Sequence, residues 1–182
     1  MSRPLLVIVS GPPGAGKTTL AAQLAPALGL PMIAKDEIKE SLFDSLGWSD
    51  DEWSRKLSLA TYELLLLVAE RLLEGGASLV LESNIHRDPQ RELFLALRNR
   101  LAFDVFEVFC TADEQELERR SRERERHPGH HRAASAGEIR QDRFPLELDD
   151  NVLQVDTTLP ESVDLDDIVA KIRGTRDGSS IG

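Results

Sequence analysis

Gly11-Pro12-Pro13-Gly14-Ala15-Gly16-Lys17-Thr18 follows the run Leu5-Leu6-Val7-Ile8-Val9 and precedes a stretch in which Leu20, Ala21, Leu24 and Leu28 recur at helical spacing. The β-favouring run reads as a central strand buried on both faces. The periodic stretch, residues 17–28, reads as a helix closed by Gly29, with Pro26 expected to kink or shorten its last turn. Between them stands G-x-x-x-x-G-K-[ST] with every defined position filled, in the strand-loop-helix setting its mechanism requires. Glycines there let backbone N–H groups curl around phosphate oxygens, Lys17 adds a point charge, and the Thr18 hydroxyl is placed to ligate Mg²⁺. A plain Gly/Pro-rich turn is the competing reading. The expected nucleotide-binding residues are Gly11, Pro12, Pro13, Gly14, Ala15, Gly16, Lys17, Thr18 and Thr19, joined by Arg120 from the arginine-rich run at residues 119–126. No Asn-Lys-x-Asp segment of the kind that reads guanine occurs, which favours ATP over GTP.

Outward from this loop, strands and helices alternate. Residues 31–34 read as a second strand, leading into a helix from Lys35 to about Leu46. Ser49-Asp50-Asp51-Glu52 has capping-box spacing ahead of a long helix ending at Glu74, before Gly75-Gly76. Strands follow at residues 78–81, 105–110 and 152–155. Helices are expected from Asp88 to Leu101, from Asp113 to about Arg126, weakly over residues 135–143, and over residues 165–172. This order predicts an α/β fold with a five-stranded parallel sheet flanked by helices, its ligands beyond the carboxyl ends of the strands. One domain over residues 1–173 is expected, with a lid insertion at about 117–143 and a Gly/Ser-rich tail over 174–182.

Three segments outside the loop carry candidate chemistry. Asp36 follows the second strand and is a candidate base for an acceptor hydroxyl; the alternative is a helix N-cap. Lys39 lies one turn further on, as a substrate or phosphate contact or a solvated surface charge. Glu82-Ser83-Asn84 ends the third strand: Glu82 is a candidate for holding Mg²⁺ or substrate, and Asn84 for hydrogen-bonding a hydroxylated ligand. All three can instead satisfy backbone groups in a turn. Residues 119–126 hold five arginines. Arg120 and Arg124 share one helix face, Glu118 and Arg122 form an i, i+4 pair on another, and a Pro-Gly break follows. A solvated, ion-paired helix is the ordinary reading of such a run, and a lid bringing cations over a transferring phosphoryl group is the functional one.

Composition narrows the partners. The 182 residues carry 22 Lys and Arg against 32 Asp and Glu, a formal charge of −10. Such acidity argues against coating a nucleic acid, since phosphate neutralisation needs a basic footprint. The lone Cys110 cannot form an internal disulfide and reads as a buried strand residue suited to a reducing compartment. No signal segment or membrane-length apolar run is visible, so a cytoplasmic protein is expected.

Together the motifs resemble the small P-loop kinases that include chloramphenicol phosphotransferase, the kinase domain of phage polynucleotide kinase and the zeta toxins. The resemblance rests on Gly11 to Thr18, Lys35-Asp36-Glu37-Ile38, Leu81-Glu82-Ser83-Asn84, Arg120 with Arg124, and Val155-Asp156-Thr157-Thr158, across about residues 5–172. It implies an adenylate-kinase-like core, Asp36 as general base, Lys17, Arg120 and Arg124 as catalytic cations, and an adenine pocket bordered by residues 156–160. The expected activity is ATP- and Mg²⁺-dependent transfer to a hydroxyl of a small molecule. A 5′-hydroxyl nucleic-acid kinase and a regulatory ATP-binding module are the alternatives. His127-Pro128-Gly129-His130-His131-Arg132 departs from all three named enzymes, and a loop without substrate contact is the expectation for its histidines.

Overall fold

Among the described residues, strands and α-helices follow one another in the order β1 (Leu5–Ser10), α1 (Lys17–Leu28), β2 (Met32–Ala34), α2 (Lys35–Leu46), α3 (Asp51–Glu74), β3 (Leu79–Glu82), α4 (Arg87–Arg100), β4 (Asp104–Thr111), α5 (Glu114–Glu123), β5 (Val152–Asp156) and α6 (Leu165–Arg176), with a short 3-10 turn at Pro160–Ser162. The computed structural model describes residues 3–85, 87–123, 127–130 and 144–176. The five strands form one parallel sheet in the order β2-β3-β1-β4-β5. β1 lies at its centre, as a strand with no polar face must.

Alternation along β1 divides its side chains between two cores. Leu5, Val7 and Val9 face Leu20 and Leu24 of α1 and Ile168 and Ile172 of α6. Leu6 and Ile8 face Leu65 and Ala69 of α3 and Phe94 and Leu97 of α4. Helices therefore cover both faces of the sheet, and the connections at the carboxyl ends of the strands share one edge.

Several boundaries differ from the sequence expectation. Helix α1 continues through Pro26 to Leu28, where the left-handed Gly29 returns its N–H to the Ala25 and Pro26 carbonyls. The proline leaves the Ala22 carbonyl without its helical donor, a loss of one bond confined to the last turn. The N-cap of α3 is Asp50, whose carboxylate accepts from Trp53 N at 2.8 Å, rather than Ser49. Helix α6 extends to Arg176, into the segment expected as tail. The Glu118–Arg122 pair is absent; Glu116 instead binds Arg119 and Arg120, both at 2.6 Å. The weak helix over 135–143 and most of the lid insertion lie outside the described residues. Among the described residues no helix is long and apolar enough to cross a membrane.

One buried carboxylate anchors the segment that leads into β5. Glu107, in the middle of β4, is fully buried and accepts from Glu147 N at 3.1 Å and Leu148 N at 2.9 Å. Burial pushes its carboxyl above the usual range, while these backbone donors oppose the shift. Arg91 Nε donates to Leu146 O at 2.9 Å, and Arg98 donates to Leu148 O at 2.5 Å and pairs with Asp149 at 3.0 Å. Replacement Glu107→Ala strands the buried Leu148 amide and the half-buried Glu147 amide, and a loss of about 2–4 kcal/mol is expected in urea unfolding.

Candidate nucleotide and acceptor site

The loop between β1 and α1 is held against backbone on two sides. A Cβ on Gly11, whose φ is +139°, would stand 2.2 Å from Cys110 O; one on Gly14, at φ +87°, would stand 2.6 Å from Leu117 O. No side chain fits either position, so glycine is required by contact as well as by conformation. Within the loop, Ala15 N donates to Pro12 O at 3.1 Å, and Lys17 Nζ curls back to the same carbonyl at 2.9 Å. The backbone amides of Gly14, Gly16, Lys17 and Thr18 donate to no acceptor among the described residues. Together with the start of α1, these free donors and the Lys17 ammonium fit a polyphosphate.

Neighbouring elements brace this cradle. Cys110 lies in the core beneath Gly11, its thiol pushed up to about 12 by burial, which makes it a packing residue as the sequence suggested. Arg120 of α5 donates to Gly14 O at 3.5 Å, to Thr157 O at 2.8 Å and to Thr158 O at 3.0 Å, and pairs with Glu116. Thr157 Oγ1 lies within hydrogen-bonding distance of Ala15 O, 3.0 Å, and Thr111 O, 2.9 Å. Arg120 thus ties the phosphate loop to the turn after β5, which the resemblance assigns to adenine. Its described partners are carbonyl groups, one hydroxyl and a carboxylate of the protein. Arg124 lies outside the described residues.

Across the sheet edge, α2 begins directly after β2. Ala34 stands at its N-cap with no side-chain cap, so Asp36 occupies the first turn without capping the helix. Two rows run along α2 at i, i+4 spacing: Lys35, Lys39 and Phe43 in one, Asp36, Glu40 and Asp44 in the other. Lys35 Nζ donates to Asn84 Oδ1 at 2.8 Å and lies 4.9 Å from the Tyr62 ring centroid. The Tyr62 hydroxyl donates to Asn84 O at 2.5 Å. Lys39 Nζ donates to Ser54 Oγ of α3 at 3.0 Å and lies 5.2 Å from the Phe43 ring centroid. Glu82, buried at the end of β3, pairs in register with Val9 and Ala34 and so sits between the phosphate loop and α2.

The histidine segment is placed where the sequence gave little reason to look. His127 stacks on Phe43 with centroids 5.3 Å apart and meets Asp44 Oδ1 at 3.0 Å. His130 meets the same ring edge-on at 5.4 Å and lies 3.3 Å from Glu40 Oε1. Gly129 passes so close that a Cβ would stand 2.7 Å from the Phe43 ring. Residues 127–130 are therefore docked on α2 beside Lys39. His131 lies outside the described residues. Lys35, Phe43, Ser54 and Tyr62 surround Lys39 and Asn84 but are absent from the candidate residues of the sequence; the 35-39-43 spacing is the one local signal for the first two.

Comparison with known proteins places this arrangement. Residues 6–147 match the family described as AAA domain, and the chain belongs to that family. A crystal structure of a protein from Chloroflexus aurantiacus, provisionally described as a kinase, is 39% identical with a TM-score of 0.87, covering 94% of this chain and 97% of that one. An uncharacterised protein of Mycobacterium tuberculosis is 34% identical over 118 residues, 59% of this chain and 23% of that protein. The chain thus spans about a quarter of the length of that curated relative. The cytidylate kinase of Ignicoccus hospitalis is 32% identical over 82 residues, 44% of this chain and 47% of that enzyme. The fold is that of the P-loop NTPases, with a parallel sheet in the order 2-3-1-4-5.

Lys39 carries a pH signature. Burial, and next the charge of Lys35, lower its pKa from 10.5 to about 8, against the opposing pull of Asp36. Between those two values the unfolded chain holds the extra proton, so stability rises with pH across that window. Lys39→Met removes this dependence. In urea unfolding at a series of pH values, the variant should exceed the wild type at pH 7, and the gap should narrow from about pH 8 upward.

Proposed function

We propose that the chain is an ATP- and Mg²⁺-dependent phosphotransferase that moves the γ-phosphate to a hydroxyl of a small-molecule acceptor. The observation that carries the reading is that Asp36, in the first turn after β2 and not capping its helix, shares the carboxyl edge of the sheet with a loop whose amides and lysine stand ready for phosphate. Similarity to the Chloroflexus protein and to a cytidylate kinase supports it.

In this reading the amides of residues 14–18 and Lys17 hold and orient the phosphates, and positioning supplies most of the rate. Asp36 takes the proton of the acceptor hydroxyl as its oxygen attacks phosphorus. Thr18, with Glu82 through water, would hold Mg²⁺; among the described residues no group of three or more His, Cys, Asp or Glu comes together, so phosphate oxygens and water complete the shell. The ion, when bound, neutralises charge on the β and γ phosphates. Lys39 and Asn84 line the acceptor side. Arg120 fixes the loop against residues 157 and 158, and Arg124 is assigned to the lid. A cytoplasmic location belongs to the same reading.

Lys17→Ala should abolish nucleotide binding in calorimetry. Asp36→Asn should leave ATP affinity within a few-fold and reduce transfer by about 10²–10⁴-fold. The assay follows γ-phosphate transfer to sugars, nucleosides, antibiotics and a 5′-hydroxyl oligonucleotide. Full activity of Asp36→Asn would remove the base assignment. Labelling of the oligonucleotide in preference to every small molecule would favour the nucleic-acid alternative, and ATP turnover unaffected by all of them the regulatory one.

A further inference from the structure

Lys39 is a buried cation that the fold does not neutralise. It is 7% exposed, and among the described residues no carboxylate lies within ion-pairing distance of its ammonium group. Its partners are the neutral hydroxyl of Ser54 and the face of Phe43. Lys35 stands one turn earlier in the same row, where like charges at i, i+4 repel. A buried ammonium ordinarily rests on a carboxylate, because leaving it uncompensated in a low dielectric is costly. Asp36 acts on it from the adjacent row without closing an ion pair.

A second titratable group stands beside it: His130 Nε2 is shielded from solvent and lies 3.3 Å from Glu40 Oε1. The charges of Asp36, Lys39 and Glu40 all act on this ring. The site therefore gathers Lys39 and His130 next to Asp36, the candidate base, with Lys35 and Asn84 beyond. Of the ammonium's three N–H donors, one is given to Ser54, and a small anion has donors left to meet.

We propose that the acceptor is a hydroxylated compound bearing an oxyanion, a carboxylate or a phosphate, and that Lys39 receives the oxyanion while Asp36 meets the hydroxyl. The identity of the hydroxyl's partner rests on the phosphotransferase reading; the anion site does not. His130, brought onto α2 with residues 127–130, shares the Phe43 ring with Lys39. The reaction is the one already described: the hydroxyl oxygen bonds to the γ-phosphorus, its proton passes to Asp36, and ADP leaves with the bridging oxygen.

The test uses the full chain with its nucleotide site saturated by Mg²⁺ and a non-hydrolysable ATP analogue, since the phosphate loop itself would bind a free anion. Sodium sulfate is titrated by calorimetry into wild type, Lys39→Met and Lys39→Arg, with affinity for the analogue measured alongside. Sulfate should saturate the wild type, bind at least tenfold more weakly to Lys39→Met and be partly recovered by Lys39→Arg, with analogue affinity unchanged. With ATP, gluconate should be preferred to glucose, or glycerol 3-phosphate to glycerol, and Lys39→Met should raise KM for the charged compound alone. The proposal is overturned if sulfate does not saturate the nucleotide-loaded wild type. It is equally overturned if Lys39→Met binds sulfate as well as wild type, or if the neutral compounds are phosphorylated as readily as the charged ones. Lys39-dependent sulfate binding without transfer to any acceptor upholds the anion site and counts against the phosphotransferase reading instead.

Discussion

The loop between β1 and α1 passes so close to the carbonyls of Cys110 and Leu117 that no side chain can stand at Gly11 or Gly14. That contact locks the loop onto the end of β4 and the first turns of α5, and it leaves the amides of residues 14, 16, 17 and 18 without partners among the described residues. Unpartnered amides at a helix start are tolerable when water or an anion can reach them. The central position of β1 and the brace from Arg120 to Thr157 and Thr158 both serve this one arrangement. A side chain at either glycine would push the loop off β4 or α5 and close or tilt the cradle.

Parallel topology does the rest of the gathering. Because all five strands point the same way, the residues following β1, β2 and β3 emerge at one edge, and Lys17, Asp36, Glu82 and Asn84 come together from segments far apart in the chain. The opposite side of the sheet's far half is secured differently. Glu107 and two arginines of α4 hold residues 146–149, so that β5 enters in register and delivers Thr157 to the loop. A buried carboxylate met by backbone amides is a costly way to fasten a turn unless the turn's position matters, and here it sets one wall of the nucleotide cradle.

Helix α2 shows how a single element can serve two surfaces. Its lysine row faces α3 and the end of β3, through Ser54 and Asn84. Its acidic row is met by His127 and His130, with Phe43 between the two rings. His127 and His130 are docked on α2, which the sequence did not foretell. The aromatic packing around Phe43 is local and tight enough to exclude a Cβ at Gly129. This places residues 127–130 against α2 beside Lys39.

Local sequence determined much of this protein. The apolar run of residues 5–9, the glycine-lysine loop and the period of residues 17–28 specify a buried strand, a phosphate cradle and a helix from interactions within a few residues of each other. The alternation of the remaining elements then leaves a parallel sheet as the economical fold, and the candidate residues at the ends of β2 and β3 follow from it. What only the tertiary structure decided is the environment of those residues. Ser54 is fifteen positions from Lys39, and Asp44 is 83 from His127. No periodicity links such pairs, since they meet only after α3 and the segment around residue 130 have packed on α2. The burial of Lys39 is likewise a property of the assembled layers, and the same lysine on an isolated helix would be an ordinary solvated charge.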